Sequence, residues 1–381
     1  MSETPLTFSI ARPDDWHLHL RDDEMLAAVA PISARMFRYG IVMPNLVPPI
    51  TSTKAAAAYR DRIVAAVNAA KPAGEGSSEA VWLDGFMPLM ALYMHADLAV
   101  DDLMSGVDDG VVHAVKYYPA GATTNSEYGG SGLDHFAPVL DAMAGRGLPL
   151  LVHAEATDSN IDIFDRERAF LDQQLVPLVE RYPTLPITVE HLSTAAGARF
   201  VAEHANVKGS ITPHHLAYDR TDLLANGLRP DLYCKPIINS PQDRSALVAA
   251  ATSGDASFFL GTDSAPHPLG AKYCEIAKPG IFNAPFAMEV VIDVFHQALA
   301  VDKSMDLSAW VGRLEAFTSI NGARHYGFAP STDTITVAST ADQAENRSGQ
   351  TSTDLITTSD GQQVKIFGMD EASHWTISPS P

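Results

Sequence analysis

Two histidines one residue apart, His17 and His19, stand within Asp14-Asp15-Trp16-His17-Leu18-His19-Leu20-Arg21. In an extended strand, alternate side chains share a face. That places His17, His19 and Arg21 on one side and Trp16, Leu18 and Leu20 on the other. Two imidazoles on one face of a rigid backbone can close on a single metal ion, and zinc takes imidazole nitrogen at about 2.0–2.1 Å. Two partly exposed histidines on an edge strand would give the same short pattern. Other residues decide the matter. Lys116 in Val-His-Ala-Val-Lys-Tyr-Tyr-Pro, His153 in Leu-Leu-Val-His, His191 in Thr-Val-Glu-His and Asp263 in Gly-Thr-Asp-Ser each interrupt or end an apolar run. One such histidine alone is more often a hydrogen-bonded core residue. Four of them, with a lysine and an aspartate at matched strand ends, point jointly to a metal centre.

Lys116 is the odd member, because desolvation and like charge disfavour an ammonium beside metal ions. Its stem could carry the charge out to water. Alternatively the neutral amine could take up carbon dioxide and become a carbamate, an anionic bridge between two metals; the set of four His, one Asp and one bridge suits two. Asp263 could cap a helix, but its place at a strand end favours a ligand or general base. His267 follows in the same loop. Arg21 and Asn45, closing the first and second strands, could hold a carboxylate, with the guanidinium supplying a two-pronged contact. A structural salt bridge and a turn asparagine are the ordinary alternatives.

These residues need a scaffold that brings many strand ends together. Short apolar runs alternate with longer amphipathic ones, the rhythm of a parallel sheet with crossover helices. Strands are expected at 16–20, 40–44, 90–94, 111–117, 149–153, 187–191, 208–212 and 258–261, with helices at 54–70, 132–144, 166–181, 194–204 and 241–252 among others. Eight strands with intervening helices predict an α/β fold, a TIM-type (β/α)8 barrel, whose active site lies at the C-terminal strand ends. A doubly wound open sheet is the alternative, but no glycine-rich nucleotide turn follows the first strand. The long Gly/Thr/Ser-rich loop 119–132 has the character of a lid. From Ser331 the chain turns Ser/Thr/Asp-rich, with strand-like pieces at 334–338 and 364–367 and a Ser359-Asp360-Gly361 turn. The expected division is a barrel over 1–330 and a small C-terminal β extension packed on it over 331–381. Gly74 to Ser78 reads as a surface insertion.

Of 381 residues 46% are apolar, enough for a full core, and the formal net charge of −20 argues against nucleic-acid or anionic-membrane partners. A small acidic substrate remains compatible, since a few arginines can overrule the overall sign locally. Cys234 and Cys274 form no Cys-x-x-Cys pair, which fits a reducing compartment and excludes a disulfide scaffold. Residues 1–5 lack the basic-then-apolar pattern of a signal peptide, and no apolar stretch could span a bilayer. A soluble, cytoplasmic protein is expected.

Nine segments in order, RPDDWHLHLRD, MPNLVPP, VKYYPAGATTNS, LLVHAE, TVEHLST, ITPHHL, RPDLYCKP, GTDSAPH and FNAP, resemble those of the dihydroorotase family. The likeness is to its monofunctional bacterial-type branch within the amidohydrolase superfamily, and runs from about Arg12 to Gly327. It implies reversible cyclisation of N-carbamoyl-L-aspartate to L-dihydroorotate in pyrimidine biosynthesis, using a hydroxide bridging two zinc ions per subunit. By resemblance His17, His19 and Asp263 hold the first zinc, His153 and His191 the second, and N6-carboxylysine at Lys116 bridges them. Asp263 is the implied catalytic base and acid. Arg21, Asn45 and His267 bind the substrate carboxylate, His19 also touches substrate, and Thr123 and Thr124 lie in the loop that closes over it. Main-chain contacts to the ring fall at Lys235 and near Pro279. A homodimer is the expected assembly. A hydantoinase or dihydropyrimidinase is the alternative in the same chemistry, and a catalytically silent scaffold the alternative outside it.

Overall fold

The computed structural model describes residues 6–72, 82–130, 132–301, 306–339, 354–368 and 374–380. The insertion read at 74–78 lies outside them. All eight expected barrel strands are present: β2 (Asp15–Leu18), β3 (Tyr39–Val42), β4 (Met87–Tyr93), β5 (Val112–Tyr117), β6 (Leu150–Val152), β7 (Ile187–Val189), β8 (Val207–Ile211) and β9 (Phe258–Leu260). They pair in parallel, in sequence order from β2 to β9. A parallel bridge from Leu18 to Ser264, and the Asp263 amide donating to the His17 carbonyl at 2.8 Å, bring the two edges together.

Most residues of these short strands are buried because both faces of the sheet are covered. Alternate positions divide them. Tyr39, Ile41, Met43, Leu89, Ala91, Ala114, Leu151 and Phe259 form an inner cluster, while Val42, Met90, Leu92, Val115, Leu150, Val152 and Leu260 join the larger core against the helices. The helices lie close to where the sequence places them. Pro241–Thr252 matches the expected limits and starts from a reciprocal capping box between Ser240 and Asp243. The stretch 166–181 contains a π-helical turn at Leu171–Leu175. No helix among the described residues is long and apolar enough to cross a membrane.

The first strand corrects the sequence reading. Its register against β3 shifts between Asp15 and Leu18, a bulge that inserts one residue. Trp16 therefore does not share a face with Leu18. It enters the inner cluster and stacks on Tyr326 with ring centroids 4.7 Å apart, whereas Leu18 faces the helices. Nor does Arg21 belong to the strand face. β2 ends at Leu18, and Arg21 turns back with φ 58.

Beyond the barrel, β10 (Thr334–Ser339) pairs antiparallel with β1 (Thr7–Ala11) on one side and β13 (Trp375–Pro379) on the other. β1 and β13 were not anticipated. Phe8 ties this sheet to the helix Leu307–Glu315 through Trp310, edge-on at 5.1 Å. The turn at 359–361 joins a hairpin of β11 (Leu355–Thr357) and β12 (Gln363–Lys365), with Gly361 at φ 87.

Candidate active site

The C-terminal strand ends converge on one cavity of about 20 Å³, lined by His17, His19, Arg21, Asn45, Tyr118, Thr123, Thr124, His153, His191, Lys235, Asp263, Ala265, Pro279 and Gly280. All of the sequence-derived candidates except Lys116 and His267 line it. Lys116 lies over the ring of the lining residue Tyr118, and His267 contacts Arg21 and Pro279. Thr123 and Thr124 reach this lining from loop 119–130. Asn45 fastens that loop: its Nδ2 donates to the Thr124 carbonyl at 3.0 Å, and Asn125 Nδ2 donates to the Asn45 carbonyl at 2.9 Å.

At the floor, His17 Nε2 and His19 Nε2 lie 3.4 and 3.1 Å from the same Asp263 oxygen. His153 Nδ1 and His191 Nε2 are 3.1 Å apart. The far side of most rings is held. His19 Nδ1 meets Asn45 Oδ1 at 2.9 Å, His153 Nε2 meets Glu155 Oε2 at 2.9 Å, and His17 Nδ1 lies 2.7 Å from Glu190 Oε2. An acceptor behind a ring fixes its tautomer and leaves the opposite nitrogen lone pair free for a metal. The arrangement has a backbone cost, since His191 and Asp263 both adopt left-handed φ, 43 and 46.

Charge states agree with a ligand set. Burial lowers the pKa of His19 to about 4 and holds His153 and His191 below the usual histidine range, so these imidazoles are neutral. Asp263 is buried, yet contacts from His17 and His19 keep its carboxyl well below the usual range. His17 differs: although burial opposes charge, Glu190 and Asp263 raise it to about 9. Lys116 is wholly buried, and burial lowers its amine even though Glu190 pairs with it.

Two buried triads offer metal donors here, His17 with His19 and Asp263, and His17 with Glu190 and His191. The residues present fit such a group: the neutral imidazoles of His19, His153 and His191, the carboxylates of Asp263 and Glu190, and His191 Nδ1 buried without a partner. A third triad, His214, His215 and Cys234, has its polar atoms largely engaged. Both nitrogens of His215 have partners, the Cys234 thiol donates to the Pro236 carbonyl, and His214 Nδ1 faces Asn283.

The rim is cationic. Arg21 Nη2 lies 3.1 Å from His267 Nε2, and its Nε donates to the Pro266 carbonyl at 3.0 Å. Lys235 Nζ donates to Glu155 Oε1 at 2.7 Å. Pro279 has no N–H to offer a substrate, and its carbonyl accepts from His267 Nε2 at 2.9 Å.

Residues 14–344 match the model of the amidohydrolase family. A protein of Ruegeria pomeroyi named dihydroorotase is 49% identical over 333 residues, 87% of this chain and 90% of that one. The chain belongs to the dihydroorotase family. A dihydroorotase structure from Saccharomyces cerevisiae in complex with 5-fluoroorotic acid superposes with TM-score 0.81 at 26% identity, covering 98% of this chain and 99% of that one. One from Campylobacter jejuni gives 0.79 at 28%, covering 100% and 99%. Amidohydrolases use metal ions, and the floor of this dihydroorotase-family site supplies donors for them.

Three residues of the site, Tyr118 in the cavity lining and Glu155 and Glu190 against the His153 and His17 rings, escaped the sequence reading. Glu190 sits inside the apolar run Ile-Thr-Val-Glu, and Glu155 two residues beyond His153. Either buried acid beside a candidate ligand was a usable signal. Tyr118 gave none, since a tyrosine after an apolar strand is ordinary.

Proposed function

We propose that this chain is a zinc-dependent dihydroorotase that interconverts N-carbamoyl-L-aspartate and L-dihydroorotate. The observation that carries the reading is a metal-donor floor and the Arg21 guanidinium on one cavity, with the His267 ring, kept neutral by burial, 3.1 Å from that guanidinium. His17, His19 and Asp263 would hold one zinc ion and His153 and His191 a second. Lys116 would join them after its neutral amine takes up carbon dioxide, releasing a proton and leaving an anionic carbamate. Burial favours that step by lowering the amine pKa. When bound, the two ions would supply Lewis-acid polarisation of the amide carbonyl and a water acidified to about pKa 7.

Arg21, with His267 and Asn45, binds the substrate carboxylate through charge-assisted hydrogen bonds. In ring opening, Asp263 accepts a proton from the attacking water at a carboxylate oxygen and delivers it to the departing ring nitrogen. Ring closure reverses both transfers. Asp263 suits the first role because it stays ionised. Thr123 and Thr124 close over the ring and exclude water. The segment 331–381 is read as an extension packed on the barrel, the assembly as a homodimer and the compartment as cytoplasm.

Turnover of L-dihydroorotate against dihydrouracil and hydantoin, with zinc counted per subunit, tests the proposal. Dihydroorotate should be the preferred substrate. Preference for an uncharged ring would assign a hydantoinase-like activity, and no turnover by zinc-loaded protein would leave a scaffold.

A further inference from the structure

Lys272 ends the short helix Leu269–Lys272 and is only 6% exposed, yet it lies outside the metal-donor cluster. Its Nζ donates to the Tyr233 carbonyl at 2.8 Å and to the Gly280 carbonyl at 2.7 Å. These acceptors belong to two loops far apart in the chain. Lys235 follows one of them and Pro279 precedes the other, and both line the cavity. We propose that Lys272 is a positioning residue, whose ammonium ties these two loops into one wall and so sets the shape of the substrate pocket. The inference rests on reading the cavity as the dihydroorotate site.

The wall needs such a tie. Gly280 sits at φ 146, and a Cβ there would meet the Ala265 carbonyl and His267 Cδ2, each at 2.8 Å. Only glycine fits, and glycine brings the freest backbone in the chain. A single main-chain bond, Gly280 N to the Tyr233 carbonyl at 2.9 Å, joins the loops directly. Lys272 adds a second donor to the Tyr233 carbonyl and a bond to the Gly280 carbonyl on the other side. Burying an ammonium against carbonyls alone is costly. Burial lowers its pKa to about 8 against the attraction of Cys234 and Asp231, which still leaves it charged at neutral pH.

Lys272→Met keeps the stem and removes the donors. It should raise KM for L-dihydroorotate about tenfold or more, the worth of a charge-assisted hydrogen bond, while zinc per subunit stays at the parent value and kcat changes little. Lys272→Arg, which retains paired donors, should restore most of the loss. A parental KM in Lys272→Met overturns the proposal, and so does a loss of zinc and kcat at unchanged KM. If Lys272→Met is insoluble, Lys272→Gln carries the same test, with parental KM again overturning it. Amide exchange over 233–235 and 278–281 is a readout independent of substrate. It should quicken in the variant even if the protein proves not to turn over dihydroorotate, and unchanged exchange there overturns the tie.

Discussion

At the floor of the pocket, His17, His153 and His191 are each 1% exposed, and each is positioned by a buried neighbour. At the rim, Arg21, Thr123, Thr124, Lys235, His267 and Pro279 are half-buried and stand on loops. The floor is fixed by the barrel, because its side chains leave strand ends locked by parallel pairing. The rim is fixed by cross-loop contacts, Asn45 to Thr124, Lys235 to Glu155 and Lys272 to two carbonyls. In the mechanism proposed above, reaction chemistry would lie on the strand-anchored part and substrate selection on the loops. Damage at the floor should cost metal and turnover together, whereas damage at the rim should cost substrate affinity or turnover with metal retained.

The strongest break in the contrast is Lys116→Ala, which should lose zinc and activity together. A small added carboxylic acid should partly restore both if a carbamate is what the site lacks. Lys116→Arg should not, since a guanidinium stays cationic and cannot be carboxylated. Metal analysis beside turnover reads this out, and a fully zinc-loaded, active Lys116→Ala protein would remove the bridge from the mechanism.

A smaller effect at the same level comes from Glu155→Gln, which weakens the acceptor behind His153 and also the partner of Lys235. Zinc affinity should fall about 10–100-fold, measured by competition with a chelator. Unchanged affinity would mean that the Glu155 contact does not set the orientation of His153.

Rim changes should leave zinc in place. Arg21→Met should lower kcat/KM on dihydroorotate by about 1.5–3 kcal/mol, the value of a hydrogen bond to a charged group. Its activity on an uncharged ring should be spared. Equal losses on both rings would show that Arg21 supports the fold instead of reading a carboxylate. Replacing both Thr123 and Thr124 with Ala should have the least effect, lowering turnover by roughly 0.5–1.5 kcal/mol per lost hydroxyl bond. Thermal unfolding and zinc should match the parent, and a lower melting temperature would make the loop structural.

Much of the floor was legible in the sequence because its residues are local anomalies. A histidine, lysine or aspartate that interrupts or ends an apolar strand run stands out without knowledge of its neighbours, and eight alternating segments imply the barrel that gathers them. The rim was legible chiefly through likeness to a known family. Thr123 and Thr124 sit in an ordinary loop, and nothing in Ala-Lys-Tyr around Lys272 sets it apart from a surface lysine.

The sequence by itself determined the order of the barrel strands, the eightfold count and most of the polar residues at their ends, since these follow from periodicity and from polar residues placed where apolar ones belong. Tertiary structure alone decided which partners those donors have. Glu190 meets Lys116 across 74 positions and Lys235 meets Glu155 across 80, contacts that arise only when the sheet curls round on itself. It also decided where Trp16 points, because the bulge in β2 exists only in its register with β3. Side-chain alternation is a property of one strand and can be read along it. Register, closure and the pairing of buried charges are properties of two segments meeting, and the free energy that selects them appears only on packing.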